Sequence, residues 1–369
     1  MGKKKLAIIG ANESISILIE KAKILGYETL VFAWQCGDPG EAIADIFYPI
    51  SISEKERILE ICKQQKVCGV CSITSDFAAP IVSYISRNMG LPSNPEITDY
   101  VARNKGAMRN AFKEYGGIYS PNFVVVDEEY DIECIKASFR LPVIVKPTDR
   151  WSSKGITRVD SYDKLPVAIE YAISESLEKK AIIEDFMSGP EYSAECIVSD
   201  GKIYILAFTE KITTGFPHYI EKGHIQPATL PEEKREYIKR CIKRAMRALK
   251  ITNSAAHVEF RILENGKIGF MEIGARMGGD CIGTYLTPIS TGFDYTKMVI
   301  DVACGNKLVF TKNKKEEKVT IKFIIDESDY EEYKSIDSKR IVKKSNFDLD
   351  FCNRVVDSST RHGYYIYIG

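Results

Sequence analysis

The fold of this chain is decided by the stretch HVEFRILENGKIGFMEI, residues 257–273. Apolar and polar residues alternate on both sides of Asn265–Gly266, a pattern that predicts two antiparallel strands joined by a two-residue turn. Counting back along both strands from that turn places Glu259 directly across from Glu272. We therefore expect two carboxylates to face each other on neighbouring strands.

The two faces of this predicted hairpin differ in character. Both glutamates point to one face, and the other face is apolar, formed by Val258, Phe260, Ile262, Met271 and Ile273. Because like charges directly opposite each other destabilise a sheet, we expect a cation between the glutamates. Carboxylate oxygens near a phosphate suit Mg²⁺. Two alternatives stay open: a solvated acidic pair, and a pair neutralised by Arg261 on the same face.

The residues that follow the hairpin strengthen the metal interpretation. The run EIGARMGG, residues 272–279, leaves the strand into a glycine-rich turn that carries Arg276. A guanidinium at this place can bind two oxygens of a phosphate or a carboxylate. An acid pair, an arginine and glycines in one stretch are typical of phosphoryl chemistry.

Composition limits the classes of function. The 369 residues suffice for two or three domains, and 51 basic against 51 acidic residues give no electrostatic drive toward nucleic acid or membrane. The apolar run after the N-terminal lysines is too short for a signal peptide or a membrane span. Ten irregularly spaced cysteines predict reduced thiols in a cytoplasmic protein, and Cys68 and Cys71 are interpreted as buried thiols, with zinc or redox chemistry as the weaker alternative.

The N-terminal part of the chain alternates predicted strands and helices. Across residues 5–100 this alternation predicts a doubly wound parallel sheet. Gly10 follows the first strand, but the remaining glycines of G-x-G-x-x-G are absent, so we do not expect a dinucleotide site. The turn-rich segment at residues 91–95 predicts a domain boundary.

The central part combines helices, strands and basic residues. A helix is predicted over residues 98–115, with Lys105 on its middle turns, and a strand over residues 141–147 ends in Lys146. Further expectations are a hairpin turning at residues 200–201 and an amphipathic helix over residues 232–249. Residues 319–369 are predicted to be rich in strands, without an assigned chemistry.

Several polar residues of this central part are candidates for binding a nucleotide. The loop after Lys146 can close over phosphates through its backbone N–H groups and hydroxyls, and its candidate residues are Ser152, Ser153, Lys154 and Gly155. A predicted strand ends at Glu184–Met187, where free backbone groups could bind an adenine edge, and Glu191 could accept hydrogen bonds from ribose hydroxyls.

The order of these motifs resembles the ATP-grasp superfamily, and most of all its carboxylate–amine ligase branch, which includes biotin carboxylase, L-amino-acid ligases and the domains of the carbamoyl-phosphate synthase large chain. The resemblance covers residues 5–310. It implies a pre-ATP-grasp doubly wound parallel sheet (residues 1–95) and an ATP-grasp α+β domain with nucleotide and metal between its lobes (residues 96–310). A small strand-rich C-terminal region (residues 311–369) follows.

The resemblance also implies roles for individual residues. Lys105 and Lys146 would contact ATP phosphates, Glu184 with the backbone of Phe186 and Met187 would hold the adenine, and Glu191 would hold the ribose. Glu259 and Glu272 would hold Mg²⁺, with Mn²⁺ as an alternative. Arg276 would stabilise the acyl-phosphate or the substrate carboxylate. The family commonly has asparagine two residues after the second glutamate, where this chain has Gly274, so a second metal ion could have one ligand fewer.

The predicted function is an ATP-dependent ligase that activates a carboxylate as an acyl-phosphate and joins it to an amine. Lys146 and Arg276 are the predicted catalytic residues, and the candidate substrate contacts are His218, Glu221, His224 and Arg276. A lid of ordinary surface residues is the alternative for residues 214–224. Two other functions stay open: a bicarbonate-activating carboxylase or carbamoyl-phosphate-synthase-like enzyme, and a nucleotide-binding protein without turnover. The predicted partners are small-molecule carboxylates and amines, with assembly into a homodimer left open.

Overall fold

A four-stranded parallel sheet forms the first layer of the computed structural model, which describes residues 2–150, 154–216, 219–312 and 315–369. The strand order is β3-β2-β1-β4, which confirms the predicted doubly wound sheet. Leu6 and Ile8 pack on one face, and Ala7 and Ile9 pack on the other, so both faces are buried. The elements are β1 (Lys5–Ile9), α1 (Glu13–Ile24), β2 (Glu28–Ala33), α2 (Pro39–Ile43), β3 (Ile46–Pro49), α3 (Lys55–Gln65), β4 (Gly69–Cys71) and α4 (Ala78–Asn88).

The second layer is a four-stranded antiparallel sheet in the order β5-β8-β6-β7. Its elements, with the helices that precede it, are α5 (Glu96–Val101), α6 (Lys105–Tyr115), β5 (Phe123–Val126), α7 (Ile132–Ser138), β6 (Val143–Pro147), β7 (Thr157–Val159), α8 (Leu165–Glu175) and β8 (Ala181–Asp185). The single helix predicted over residues 98–115 is wrong. Asn104 caps a new helix by accepting a hydrogen bond from the Ala107 N–H at 2.9 Å, so Lys105 begins α6.

An eight-stranded sheet forms the largest layer, in the order β13-β12-β9-β10-β11-β14-β16-β15. Its elements are β9 (Glu191–Ser199), β10 (Lys202–Thr213), β11 (Glu221–Gln226), α9 (Glu232–Ala248), β12 (Ser254–Ile262), β13 (Ile268–Gly274), α10 (Thr287–Thr291), α11 (Tyr295–Ala303), β14 (Val319–Phe323), α12 (Glu327–Ser335), β15 (Ile341–Lys344) and β16 (Tyr364–Ile368). The last three strands therefore extend this sheet, because β14 pairs with β11, β16 with β14 and β15 with β16. The domain boundaries at residues 95 and 310 stay predictions.

The hairpin of β12 and β13 pairs Glu259 with Glu272 as predicted, but its turn and its register near the turn differ from the prediction. Its turn contains three residues, 264–266, so the register is shifted by one at Ile262 and Ile268. A β-bulge between Glu259 and the next residue then restores the predicted pairing. The bulge moves Met271 away from the predicted apolar face and into a cleft.

The two faces of the large sheet have different environments. The apolar residues of β12 and β13 pack against helices α6 and α9, with the Phe112 and Phe270 rings 5.8 Å apart. The opposite face of β12 carries His257, Glu259 and Arg261, because successive side chains of a strand alternate. This polar face is the one that turns toward the second sheet.

The cysteines are all free thiols, and Cys71 is buried as the sequence predicted. Cys68 is only half-buried, unlike the prediction. In the described parts of the chain, no helix is long and apolar enough to cross a membrane.

Gly189, between β8 and β9, allows the backbone there to lie against the end of β12 in the hairpin. Its φ is +131°, and a Cβ there would lie 2.2 Å from the Ile262 carbonyl oxygen. We expect Gly189→Ala to lower the free energy of unfolding by about 1–3 kcal/mol more than Gly201→Ala does. Gly201 is the matched control because it also has a positive φ (+72°) but open space around it. Chemical denaturation of both variants measures the difference, and equal losses would contradict this account of Gly189.

Candidate functional site

A cleft of about 750 Å³ lies between the second sheet and the polar face of the large sheet. Strands β6 and β8 line one wall, and strands β9, β11, β12 and β13 line the other. Most of the residues predicted to bind ATP or metal line this cleft: Lys105, Lys146, Glu184, Phe186, Met187, Glu191, Glu259 and Glu272. Residues that are far apart in the sequence are thus brought together by the packing of the two sheets.

Glu184 lies at the centre of the wall formed by β6 and β8. It is 2% exposed, and its carboxylate accepts hydrogen bonds from Arg109 Nε at 2.6 Å and pairs with Lys146 Nζ at 2.7 Å. Burial would raise the pKa of Glu184, but the charges of Arg109 and Lys146 outweigh it and lower the pKa to about 2. Burial, together with the charges of Arg109 and Lys105, lowers the pKa of Lys146 against the attraction of Glu184. Two buried cations, Arg109 and Lys146, therefore surround the single buried carboxylate of Glu184.

Lys105 connects this wall to the metal candidates. Its Nζ lies 3.3 Å from the Glu272 carboxylate and also donates to the Arg150 carbonyl oxygen. The side chain is almost fully buried at the first position of α6, where Asn104 is the N-cap. Lys105 therefore bridges the phosphate candidates and one of the two facing glutamates.

Two buried cations hold the other facing glutamate. Lys211 Nζ lies 2.8 Å from the Glu259 carboxylate, and His257 Nε2 lies 3.1 Å from it, while His257 Nδ1 contacts Glu195 at 2.5 Å. Burial would lower the pKa of His257, but the charges of Glu195 and Glu259 and their hydrogen bonds raise it to about 9. The glutamate pair is thus neutralised by Lys105, Lys211 and His257 and not by Arg261.

The outer end of the cleft contains the predicted ribose and adenine residues. Glu191 accepts a hydrogen bond from Arg261 Nη2 at 3.0 Å and lies 3.3 Å from Lys211 Nζ. The Met187 carbonyl oxygen already accepts from Arg261 Nη1, and the Phe186 N–H donates to the Pro142 carbonyl oxygen. These backbone groups are therefore less free than the sequence predicted.

Arg276 forms a two-pronged salt bridge with Asp76, in the loop between β4 and α4. Its Nε and Nη2 donate to the two carboxylate oxygens at 2.9 and 2.7 Å. Burial would lower the pKa of Arg276, but the charges of Asp76, Glu272 and Glu259 raise it. This ion pair therefore joins the loop after β4 of the N-terminal sheet to the end of the hairpin of β12 and β13.

The remaining predicted residues are less closely connected to the cleft. His218, Ser152 and Ser153 lie outside the described residues; Lys154 is exposed, and Gly155 lies against Pro147. Glu221 lines the cleft and accepts a hydrogen bond from Ser358 at 2.6 Å. His224 is 1% exposed and lies 3.5 Å from Asp280.

Comparison with known proteins identifies the fold that builds this cleft. Residues 139–284 match the ATP-grasp domain family. This segment is an ATP-grasp domain. The match confirms the predicted resemblance, and it covers strands β6–β13, which contribute all of the cleft residues named above except Lys105, Arg109 and Asp76.

The chain is also similar to proteins whose names describe ligases. The alanine–anticapsin ligase of Bacillus subtilis strain 168 is 28% identical over 305 residues, which are 72% of this chain and 63% of the relative. The chain thus spans less than two thirds of that relative's length. The crystal structure of the L-amino acid ligase from Bacillus licheniformis superposes with a TM-score of 0.80 and 23% identity, covering 100% of this chain and 94% of that one.

A second similar crystal structure contains nucleotide. The biotin carboxylase domain of the Hydrogenobacter thermophilus 2-oxoglutarate carboxylase, a dimer in complex with MgADP, ADP and bicarbonate, has a TM-score of 0.76 and 16% identity. It covers 100% of this chain and 87% of that one. This likeness supports the fold of the present chain.

The facing glutamates of the ATP-grasp domain fit a divalent cation that also binds nucleotide. Within the described residues, no group of three or more His, Cys, Asp or Glu side chains has a metal-binding arrangement. Two carboxylates at the polar end of the cleft leave coordination positions for phosphate oxygens and water, as Mg²⁺ prefers. The donor set therefore fits Mg²⁺ bound together with a nucleotide and does not fit a metal held by protein alone.

Four residues of the site were missed in the sequence: Asp76, Arg109, Lys211 and His257. Two of them had a local signal. Arg109 lies four residues after Lys105 on α6 and so shares its face, and His257 lies two residues before Glu259 on β12. Lys211 and Asp76 had none, because their partners are brought close only by strand pairing and by packing of the N-terminal sheet.

Arg109 is expected to be essential for stability. Arg109→Met leaves the buried Glu184 with Lys146 as its remaining cation partner in the described part of the chain, so we expect the free energy of unfolding to fall by about 3–5 kcal/mol. Arg57→Met is the matched control, because Arg57 and Glu54 form an exposed ion pair that should contribute about 1 kcal/mol or less. Denaturant titration compares the two variants. Similar small losses would show that Glu184 does not depend on Arg109.

Proposed function

We propose that the chain is an ATP-dependent ligase that activates a carboxylate as an acyl-phosphate and joins it to an amine. The observation that carries the proposal is a single cleft, within an ATP-grasp fold, that combines buried lysine side chains on one wall with two facing carboxylates on the other. Cations of this kind suit phosphates, and the carboxylates suit a divalent metal. The names of the relatives, an alanine–anticapsin ligase and an L-amino acid ligase, support the same chemistry.

ATP is proposed to bind along the wall formed by β6 and β8. Lys105 and Lys146 would contact its phosphates, whose negative charge would offset the excess of cations around Glu184. Glu184 and the backbone of residues 186–187 would hold the adenine, and Glu191 the ribose. The loop of residues 152–155 would cover the phosphates. The pairing of Glu184 with Arg109 keeps this wall in one arrangement before ATP arrives.

Glu259 and Glu272 would hold Mg²⁺, with Mn²⁺ as an alternative. A divalent ion held there would supply positive charge next to the phosphates. The chain's own contribution is to fix the two carboxylates: Lys211 and His257 hold Glu259, and Lys105 holds Glu272. Preformed ligands of this kind need little rearrangement on binding.

The carboxylate substrate is proposed to bind beside Arg276, at the end of β13. Arg276 would hold the carboxylate oxygens, and Lys146 would offset charge on the transferred phosphoryl group. The protein would act mainly by positioning the carboxylate and the phosphate, because it need not form a covalent bond to either. For the amine, Glu221 would bind the cationic form. His224 would accept a proton, since its buried Nδ1 has no hydrogen-bond partner among the described residues.

Two further expectations stay predictions of this proposal. Assembly into a homodimer is supported only by the likeness to the carboxylase domain from Hydrogenobacter thermophilus, which crystallised as a dimer. A cytoplasmic location rests on the free thiols.

A screen for stimulated ADP release tests the proposed activity. The purified chain is incubated with ATP, Mg²⁺ and small carboxylates, singly and with amines, and ADP and products are followed by mass spectrometry. We expect a matching pair of substrates to raise ADP release at least about tenfold and to give a C–N linked product in equal amount. Release of AMP and pyrophosphate, or no stimulation by any carboxylate, would contradict the proposal.

Glu272→Gln is expected to abolish substrate-stimulated turnover while leaving the chain folded. Loss of an outer-shell partner of a metal costs about 10–100-fold, and loss of a ligand should cost more. The matched control is Glu264→Gln, an exposed glutamate of the same hairpin, which should keep full activity. ADP release and Mg²⁺-dependent nucleotide binding are both measured. If Glu272→Gln keeps near-normal activity, Glu272 is not a metal ligand.

Lys146→Ala should weaken ATP binding far more than binding of the carboxylate. Its ammonium lies on the wall formed by β6 and β8, and a charged hydrogen bond from it to phosphate would change the Kd by about tenfold or more. Lys136→Ala, which removes a lysine from the ion pair with Glu133 on the surface helix α7, is the control. Calorimetry with a non-hydrolysable ATP analogue measures both. Unchanged ATP affinity in Lys146→Ala would place the phosphates elsewhere.

A further inference from the structure

Gly274, the last residue of β13, has no conformational reason to be glycine. Its φ lies outside the left-handed region, so other residues could adopt its backbone conformation. Its reason is spatial: a Cβ there would lie 3.0 Å from Asp76 Oδ1 and 3.3 Å from Arg276 Cζ and Nε. The missing side chain at residue 274 therefore makes room for the Asp76–Arg276 ion pair.

The ion pair is well formed and largely buried. The hydrogen bonds from Arg276 Nε and Nη2 to the Asp76 carboxylate oxygens are short, at 2.9 and 2.7 Å. The side chains of Arg276 and Asp76 are 14% and 8% exposed. The partners are 200 residues apart in the sequence, so the N-terminal sheet supplies the carboxylate that holds an arginine of the ATP-grasp domain. A geometry of this kind fixes the plane of the guanidinium.

Arg276 has other carboxylates within its electrostatic reach. The negative charges of Glu272 and Glu259 both raise the pKa of its guanidinium. Without Asp76, the guanidinium would be drawn toward these two glutamates, which the proposed function needs for the metal ion. With Asp76 present, Nε and Nη2 each donate to Asp76, and Nη1 donates to the Met277 carbonyl oxygen at 3.3 Å. Of the five N–H groups of an arginine, two are then left for a substrate oxygen, as far as the described residues show.

We propose that Asp76 is the positioning residue for Arg276, and that the absence of a side chain at Gly274 on β13 leaves the space that Asp76 occupies. Asp76 takes the space that a polar side chain at residue 274 would occupy, and it orients Arg276 toward the carboxylate substrate and away from the metal ligands. The consequence for the substrate rests on the proposed function, whereas the coupling between residues 76 and 274 does not.

A double-mutant cycle tests this inference with four proteins: the wild type, Asp76→Ala, Gly274→Asn and the double variant. Asparagine is chosen because its amide oxygen, one bond beyond Cγ, would lie close enough to accept a hydrogen bond from Arg276. In the wild-type background the new side chain collides with Asp76, and in the Asp76→Ala background it fills the vacated space. We therefore expect each single variant to be impaired and the double variant to recover.

Two measurements are made on all four proteins. Thermal unfolding should show each single variant lowering the Tm and the double variant lying above the sum of the two changes, as expected for residues in contact. In turnover, each single variant should raise the KM for the carboxylate by about tenfold, with the KM for ATP changed less than about twofold, and the double variant should regain most of the loss.

Asp99→Ala is the matched control for loss of a buried ion pair. Asp99 pairs with Arg87 at 2.8 Å, with both side chains about a fifth exposed, on helices α4 and α5. This variant should lower the Tm without changing the KM for the carboxylate. A rise in that KM equal to the one in Asp76→Ala would overturn the positioning role.

The outcomes separate this inference from the proposed function. Additive changes in both Tm and KM would overturn the link between Asp76 and Gly274. Coupling in Tm with an unchanged KM would overturn the positioning role, because the pair would then be a structural contact alone. If the wild type activates no carboxylate, the proposed function fails and the role of Asp76 toward substrate fails with it, whereas failure of the cycle in an active enzyme overturns this inference alone.

Discussion

The mutual repulsion of Glu259 and Glu272 is the constraint on which the site depends. Two carboxylates directly opposite on neighbouring strands would destabilise the hairpin if they were left alone. The chain meets this constraint with Lys105 from helix α6, and with Lys211 and His257 from strands β10 and β12. These cations come from three different elements, so the hairpin, the large sheet and α6 must all be in place before the acidic pair is stable.

The polar face of the large sheet places the acidic pair and its cation partners together, and it leaves the pair open to the cleft. Alternation along β9, β10 and β12 puts Glu191, Lys211 and Glu259 on the same face. Their neighbours Tyr192 on β9 and Val258 and Phe260 on β12 belong to the apolar core that includes α9. The second sheet covers this face only at a distance, which leaves a cleft with Lys146 and its partner Glu184 on one wall and the two facing carboxylates on the other. The N-terminal sheet adds Asp76 at the end of β13.

Much of this arrangement could be predicted from the sequence, because local patterns determine it. Alternation predicted the hairpin and the facing glutamates, although the three-residue turn and the bulge at Met271 compensated for each other and were not visible in the pattern. Helix periodicity did not reveal the break before Lys105, because the N-cap role of Asn104 competed with a continuous apolar pattern.

The remaining features depend on tertiary packing. The ion pair of Arg276 with Asp76 links positions 200 residues apart, and nothing in the sequence around either residue indicates the other. The same holds for Lys211, whose three glutamate neighbours lie on β9, β11 and β12. Gly274 was visible as a departure from the family pattern, but its physical reason required the position of Asp76.

The central claim is that this cleft activates a carboxylate by phosphoryl transfer, and the most direct measurement follows one oxygen atom. A carboxylate that stimulates ADP release is labelled with ¹⁸O in both carboxylate oxygens, and the inorganic phosphate formed during the reaction with an amine is analysed by mass spectrometry. An acyl-phosphate intermediate transfers one labelled oxygen to phosphate, so the account predicts one ¹⁸O in each phosphate released. Phosphate without ¹⁸O, formed at the same rate as product, would contradict it.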